Sequence, residues 1–222
     1  VQEAMLPPSP TIVGVEIASS YRACDHVGGD FYDFVIVDPG RLGIVMADVS
    51  GHGTAAALVM AAAKKALQLF GQGCPSPREA LLAANDNLLR EIPRGMFVSV
   101  FYGVLDLATR KFTFVRAGHN PLYLLREGEL ETFRPEGTVL GVMASATLAV
   151  RLKEEEIALQ QDDAVVIYTD GLTEAMDPTR AMYGDERLEK VLRESAGLSA
   201  NTRIGAVRGG GGTLRPGPPP ND

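Results

Sequence analysis

Three aspartates share one local setting: Asp30 in Val27-Gly28-Gly29-Asp30-Phe31-Tyr32-Asp33, Asp48 in Met46-Ala47-Asp48-Val49-Ser50-Gly51-His52-Gly53, and Asp170 in Tyr168-Thr169-Asp170-Gly171. In each, a β-prone run delivers a carboxylate to a glycine-containing turn, where it can reach inward as a hard oxygen ligand at the rim of a sheet. Carboxylates gathered this way repel unless cations sit between them. Two Mn2+ or Mg2+ ions would satisfy the set, and a water bridging the ions would be acidified into a nucleophile for phosphoryl transfer. No nucleophilic side chain is then required. Any one aspartate beside a glycine is an ordinary turn former; three in matching contexts point to a divalent-metal centre.

The remaining polar residues fit that chemistry less closely. Asp33 is expected to bond to backbone near the site, and Asp162-Asp163 to shape the turn before a strand. His52, at the head of a helix, could steady a ligating carboxylate or the substrate phosphate, or be a plain loop residue. His119, in Ala117-Gly118-His119-Asn120-Pro121, reads as a turn residue bonding to backbone. With His26 as the third and last histidine, there is no His-x-His or His-Glu-x-x-His pattern, which disfavours a zinc hydrolase. Nucleotide-binding glycine loops are also missing, and Ser50 does not sit in a Gly-x-Ser-x-Gly elbow.

The elements that must position these residues follow from hydrophobic periodicity. Strands are expected at Ile12–Ala18, Phe31–Val37, Leu42–Ala47, Val98–Asp106, Lys111–Ala117, Leu122–Arg126 and Ala164–Tyr168. Short turns predict two hairpins, Val98–Asp106 with Lys111–Ala117 and Lys111–Ala117 with Leu122–Arg126. Helices are expected at Thr54–Phe70, at Ser76–Glu91 with Ser76 as cap and Pro77 at its first position, and at Gly184–Ala196. Strands outnumber helices without a regular βαβ alternation, which favours an α+β layered sandwich over a doubly wound sheet.

The chain of 222 residues, 45% of them hydrophobic, is long enough for one main core. A net charge of −7 and a pI near 5.1 give no footprint for nucleic acid or an anionic membrane. Two cysteines, Cys24 and Cys74, are too few for a disulfide framework and fit a reducing cytoplasm. The apolar run Thr54 to Phe70 is interrupted by Lys64-Lys65 and falls short of the ~20 residues that span a bilayer. The organisation expected is a linker over residues 1–10 from an upstream region, one domain over 11–196, and a Gly/Pro-rich disordered or degraded tail over 197–222. A first residue that is valine fits a piece of a longer chain or a processed start.

Taken together, Gly28-Gly29-Asp30-Phe31-Tyr32-Asp33, Ala47-Asp48-Val49-Ser50-Gly51-His52-Gly53, Ala117-Gly118-His119-Asn120-Pro121 and Tyr168-Thr169-Asp170-Gly171-Leu172-Thr173-Glu174-Ala175 resemble the bacterial metal-dependent protein phosphatases of the SpoIIE/RsbU type, related to protein phosphatase 2C. The resemblance runs from about Leu6-Pro7 to Ala196. It implies an α-β-β-α sandwich of two antiparallel sheets flanked by helices, a two-metal site at one edge, and a phosphoserine or phosphothreonine protein as substrate. Asp48 would bridge both ions, the Val49 carbonyl would complete one, Asp170 would bind the second, and Asp30 would bind directly or through water. The resemblance further implies that the Thr54–Phe70 helix and its neighbour act as a switch moved by an upstream sensor or coiled coil. The usual substrate of that type is a phosphorylated anti-sigma factor antagonist, and pairing into a homodimer is compatible with it. The family closes its site with a further aspartate opening a final strand of the form Asp-Asp-x-Thr-Leu-Val-Val. This chain lacks that strand, and Asp222 stands either for the first residue of that motif or for an unrelated end. The rival reading is a phosphoprotein-binding or regulatory module with an incomplete metal site.

Overall fold

A computed structural model describes residues 2–22, 27–177 and 179–209. Eight strands form two antiparallel sheets. The first is five-stranded, in the order β1 (Phe31–Asp38), β2 (Arg41–Val49), β3 (Val98–Asp106), β4 (Lys111–Ala117) and β7 (Glu154–Ala158). The second holds β5 (Leu122–Arg126) between β6 (Glu129–Phe133) and β8 (Ala164–Val166). Among the described residues no strand follows β8, and Asp222 lies outside them.

Strand alternation divides the interior into three apolar layers. Val45, Ala47 and Val49 of β2 and Val98, Val100, Tyr102 and Val104 of β3 face α1 (Gly53–Gly71) and α2 (Pro77–Glu91), burying Met60, Leu67, Leu81 and Leu88. Phe101, Leu105, Phe112 and Phe114 point the other way and meet Leu122 and Leu124 of the second sheet. On the far side of that sheet, Tyr123 and Tyr168 stack at 5.7 Å beside Leu188 and Leu192 of α5 (Asp185–Glu194). The result is the expected α-β-β-α order. The Ser76 hydroxyl caps α2 by accepting from the Glu79 N–H at 3.2 Å.

Several expectations change. Lys111–Ala117 and Leu122–Arg126 are not a hairpin. Both edges of β4 are already paired, to β3 and β7, so after Gly118 (φ +72°) the chain crosses into the second sheet. Ile12–Ala18 forms only an Ile12–Val15 bridge, because Gly14 at φ +79° turns the run back on itself. β6, β7 and the short helix α3 (Ser145–Arg151) carry too many charged or exposed residues to show an apolar period. β7, with Glu154, Glu155 and Glu156 in succession, forms an outer edge of the five-stranded sheet.

After a four-residue helix α4 (Asp170–Thr173) and α5 comes α6 (Ala200–Gly209), at the start of the expected tail; residues 210–222 of that tail lie outside the described residues. The Ser199 hydroxyl accepts from the Thr202 N–H, and Arg203 donates to the Ser195 hydroxyl and carbonyl, both at 3.1 Å. At the other end, Gln2–Met5 forms a short 3-10 helix where a linker is expected.

Candidate metal centre

The parity of β1 and β2 decides which acidic residues meet. On β2, Ala47 and Val49 face the helices, so Asp48 joins Ile44 and Met46 on the face toward the second sheet. On β1, Phe31 faces the helices, which puts Asp30 on the same side as Asp48. Phe31 pairs with Ala47, so the two aspartates lie side by side where their strands reach the sandwich rim. Asp170 arrives from the second sheet, just after β8, at the start of α4. Thr169, beside it, donates its hydroxyl to Asp30 Oδ2 at 2.6 Å and ties segments 139 residues apart.

Asp48 carries the electrostatic imprint of this gathering. Burial first, then the charge and hydrogen-bonding proximity of Asp30, then Asp170 and Glu174, push its carboxyl up to about 9. Asp170, exposed at the rim, is likewise raised, by partial desolvation and by Asp30 and Glu174. Among the described residues no three acidic, thiol or imidazole side chains close into a ready-made coordination shell.

Does this donor set suit a hard cation? Every side-chain donor is a carboxylate oxygen, the ligand type of Mg2+ and Mn2+. A Cβ on Gly29 would stand 2.5 Å from the Val49 carbonyl oxygen, so only glycine leaves that oxygen uncovered. Val98, opposite Val49, gives its N–H and carbonyl to Leu140, which leaves the Val49 carbonyl without that partner. A Cβ on Gly171 would stand 3.4 Å from Asp30 Oδ2. The groups that could hold a divalent cation are therefore the carboxylates of Asp30, Asp48 and Asp170 and the carbonyl of Val49, and they fit it.

Other candidates lie elsewhere. Asp33 is not at the site: it points toward the helices and pairs with Lys64 of α1 at 2.6 Å, the two side chains 1% and 9% exposed. Strand alternation guarantees this, since Asp33 is three residues from Asp30 and so on the opposite face. Asp163 binds Arg126 and the Gln160 N–H, shaping the turn as expected. His52 is exposed at the N-terminus of α1 and makes no side-chain cap bond. His119 is buried, its Nδ1 2.8 Å from the Ser99 hydroxyl, and Ser99 is the cross-strand partner of Asp48. Sequence reasoning gave no role to Thr169 or Glu174. Their signal was adjacency: Thr169 precedes Asp170, and Glu174 follows it by one helical turn.

A family model described as Stage II sporulation protein E (SpoIIE) matches residues 38–210. The chain belongs to the SpoIIE family. The SpoIIE match takes in Asp48, Val49 and Asp170 and begins after Asp30. Phosphoserine phosphatase RsbU of Bacillus subtilis is 26% identical over 197 residues, 88% of this chain and 57% of RsbU. The SiaA-PP2C domain of Pseudomonas aeruginosa is similar in structure with a TM-score of 0.71 at 22% identity, over 83% of this chain and 73% of that one. RsbX in complex with magnesium gives 0.59 at 20% identity, over 82% and 79%. These two likenesses establish the fold as that of PP2C-type phosphatase domains. This SpoIIE-family chain spans 36% to 57% of the length of the curated relatives it matches. No helix among its described residues is long and apolar enough to cross a membrane.

Proposed function

We propose that this domain is a divalent-cation-dependent phosphoserine/phosphothreonine protein phosphatase. The observation that carries this is the convergence of Asp30 and Asp48, from neighbouring strands, with Asp170, from beyond the second sheet, on one rim of the inter-sheet gap, tied by the Thr169–Asp30 bond. Two Mn2+ or Mg2+ ions, when bound, would neutralise the carboxylates, activate water and polarise the phosphoryl group. Asp48, central to the cluster, would hold both cations in this reading. Asp30 and Asp170 flank it, the Val49 carbonyl adds a neutral oxygen, and Glu174 sustains the negative potential. That potential draws cations and, alone, repels a phosphate, so the residues bind substrate only after the cations are in place. The substrate in this reading is a phosphorylated regulatory protein of the anti-sigma factor antagonist kind, in the cytoplasm. RsbU, named a phosphoserine phosphatase, and the magnesium complex of RsbX support the chemistry.

The test is Mn2+-dependent hydrolysis of an aryl phosphate and of a phosphoserine peptide, with Asp48→Asn as control. We expect turnover that vanishes with chelator and falls to background in Asp48→Asn, with the circular dichroism spectrum unchanged. Retained turnover in Asp48→Asn would refute the assignment.

A further inference from the structure

Gln2 stands out among the polar residues that the fold buries. It is 7% exposed, although it belongs to a four-residue 3-10 helix at the edge of the described chain. Both ends of its amide are used on one residue: Nε2 donates to the Gly28 carbonyl at 2.7 Å, and Oε1 accepts from the Gly28 N–H at 2.8 Å. A side-chain amide gripping both backbone groups of one residue fixes that residue as a neighbouring strand would.

The gripped residue is two positions before Asp30. Gly29 lies between them and rests against Val49, with no room for a Cβ. Asp30 is then held by Thr169. Little slack remains between the Gln2 amide and the Asp30 carboxylate. The segment has a further anchor, since Leu6 packs on the larger core cluster, and its turn is closed by the Leu6 N–H donating to the Glu3 carbonyl. Gln2 is therefore not what keeps this segment folded.

We propose that Gln2 is a positioning residue for Asp30. Its amide holds the Gly28–Asp30 loop at the depth from which Asp30 can share a cation with Asp48, so that seating of the 3-10 helix sets the cation affinity of the site. This rests on the reading of Asp30, Asp48 and Asp170 as cation ligands. The phosphoryl chemistry itself is untouched by Gln2, whose amide bonds to the Gly28 backbone.

The test uses the 222-residue chain with Gln2→Ala and Gln2→Leu; leucine keeps most of the volume and removes both bonds. Three quantities are measured: Mn2+ affinity by electron paramagnetic resonance, hydrogen exchange of residues 27–31 without cation, and the thermal midpoint. Both variants should bind Mn2+ at least about fivefold more weakly, a shift well within what two lost hydrogen bonds can produce. Exchange at Gly28 should accelerate and the cation-free thermal midpoint should hold. Turnover of an aryl phosphate at saturating Mn2+ should return to near the unsubstituted rate. Unchanged Mn2+ affinity in either variant would overturn the proposal, because the amide bonds would then not set it. So would a loss of affinity matched by a loss of thermal stability, which would make Gln2 a structural tether. If the unsubstituted chain took up no Mn2+, the metal reading itself would fail, a result distinct from normal uptake that ignores Gln2.

Discussion

Burial keeps the His119 imidazole neutral in the folded chain. Desolvation, helped by nearby Arg116 and opposed by the Tyr168 backbone, pushes it down to about 4 from an ordinary 6.5. Between those values the unfolded chain binds a proton that the folded chain refuses. Stability therefore rises with pH across this window and is lost as pH falls from 6.5 toward 4, by roughly 3 kcal/mol in all. Denaturant midpoints at pH 7 and pH 4.5 should show that loss in the unsubstituted protein and much less of it in His119→Gln, whose amide can still reach the Ser99 hydroxyl. Equal pH slopes in the two proteins would rule out His119 as the titrating group. The three site aspartates were legible because each lies beside a β-prone run with a glycine within three residues, a local signal. Thr169 and Gln2 were not, because their bonds span 139 and 26 residues and no local pattern encodes a partner that far away.

At the scale of elements, α1 is fastened to β1 by the buried Lys64–Asp33 pair. Removing one partner strands a charge in a low-dielectric interior, which typically costs about 3–5 kcal/mol, whereas replacing both with apolar residues often costs little. Urea unfolding of Lys64→Met, Asp33→Leu and the double variant should show two large single losses and a double variant more stable than either. Additive losses would mean that the pair does not act as a unit. Elements rich in apolar and β-prone residues were readable: β3, β4 and β5 begin and end where expected. The β4–β5 pairing was misread because a short connection suggests a hairpin, and nothing local tells that β4 has β7 waiting on its other edge. Glu-rich β7 gave no apolar signal because only one of its edges is paired.

Across the whole molecule, the candidate site is closed only when both sheets are in place, since Asp48 comes from one and Asp170 from just beyond the other. A ligand held only by the folded state stabilises it by mass action, so Mn2+ at a hundredfold its dissociation constant should add about 2.7 kcal/mol. Differential scanning fluorimetry should show a rise of several degrees on adding Mn2+, reversed by chelator and absent in Asp48→Asn; no rise in the unsubstituted chain would count against a cation bridging the two sheets. The layered class was legible from the count and order of elements, while the assignment of strands to sheets depended on contacts between residues far apart in sequence. β7 bears on a different property. Among the described residues no strand pairs with its outer edge, where Glu154 and Glu156 stand exposed, and Lys111 pairs with Glu156 at 2.9 Å. Two copies brought together along this edge would oppose carboxylate to carboxylate. The acidity of that strand thus protects the domain from growing sideways into sheet polymers.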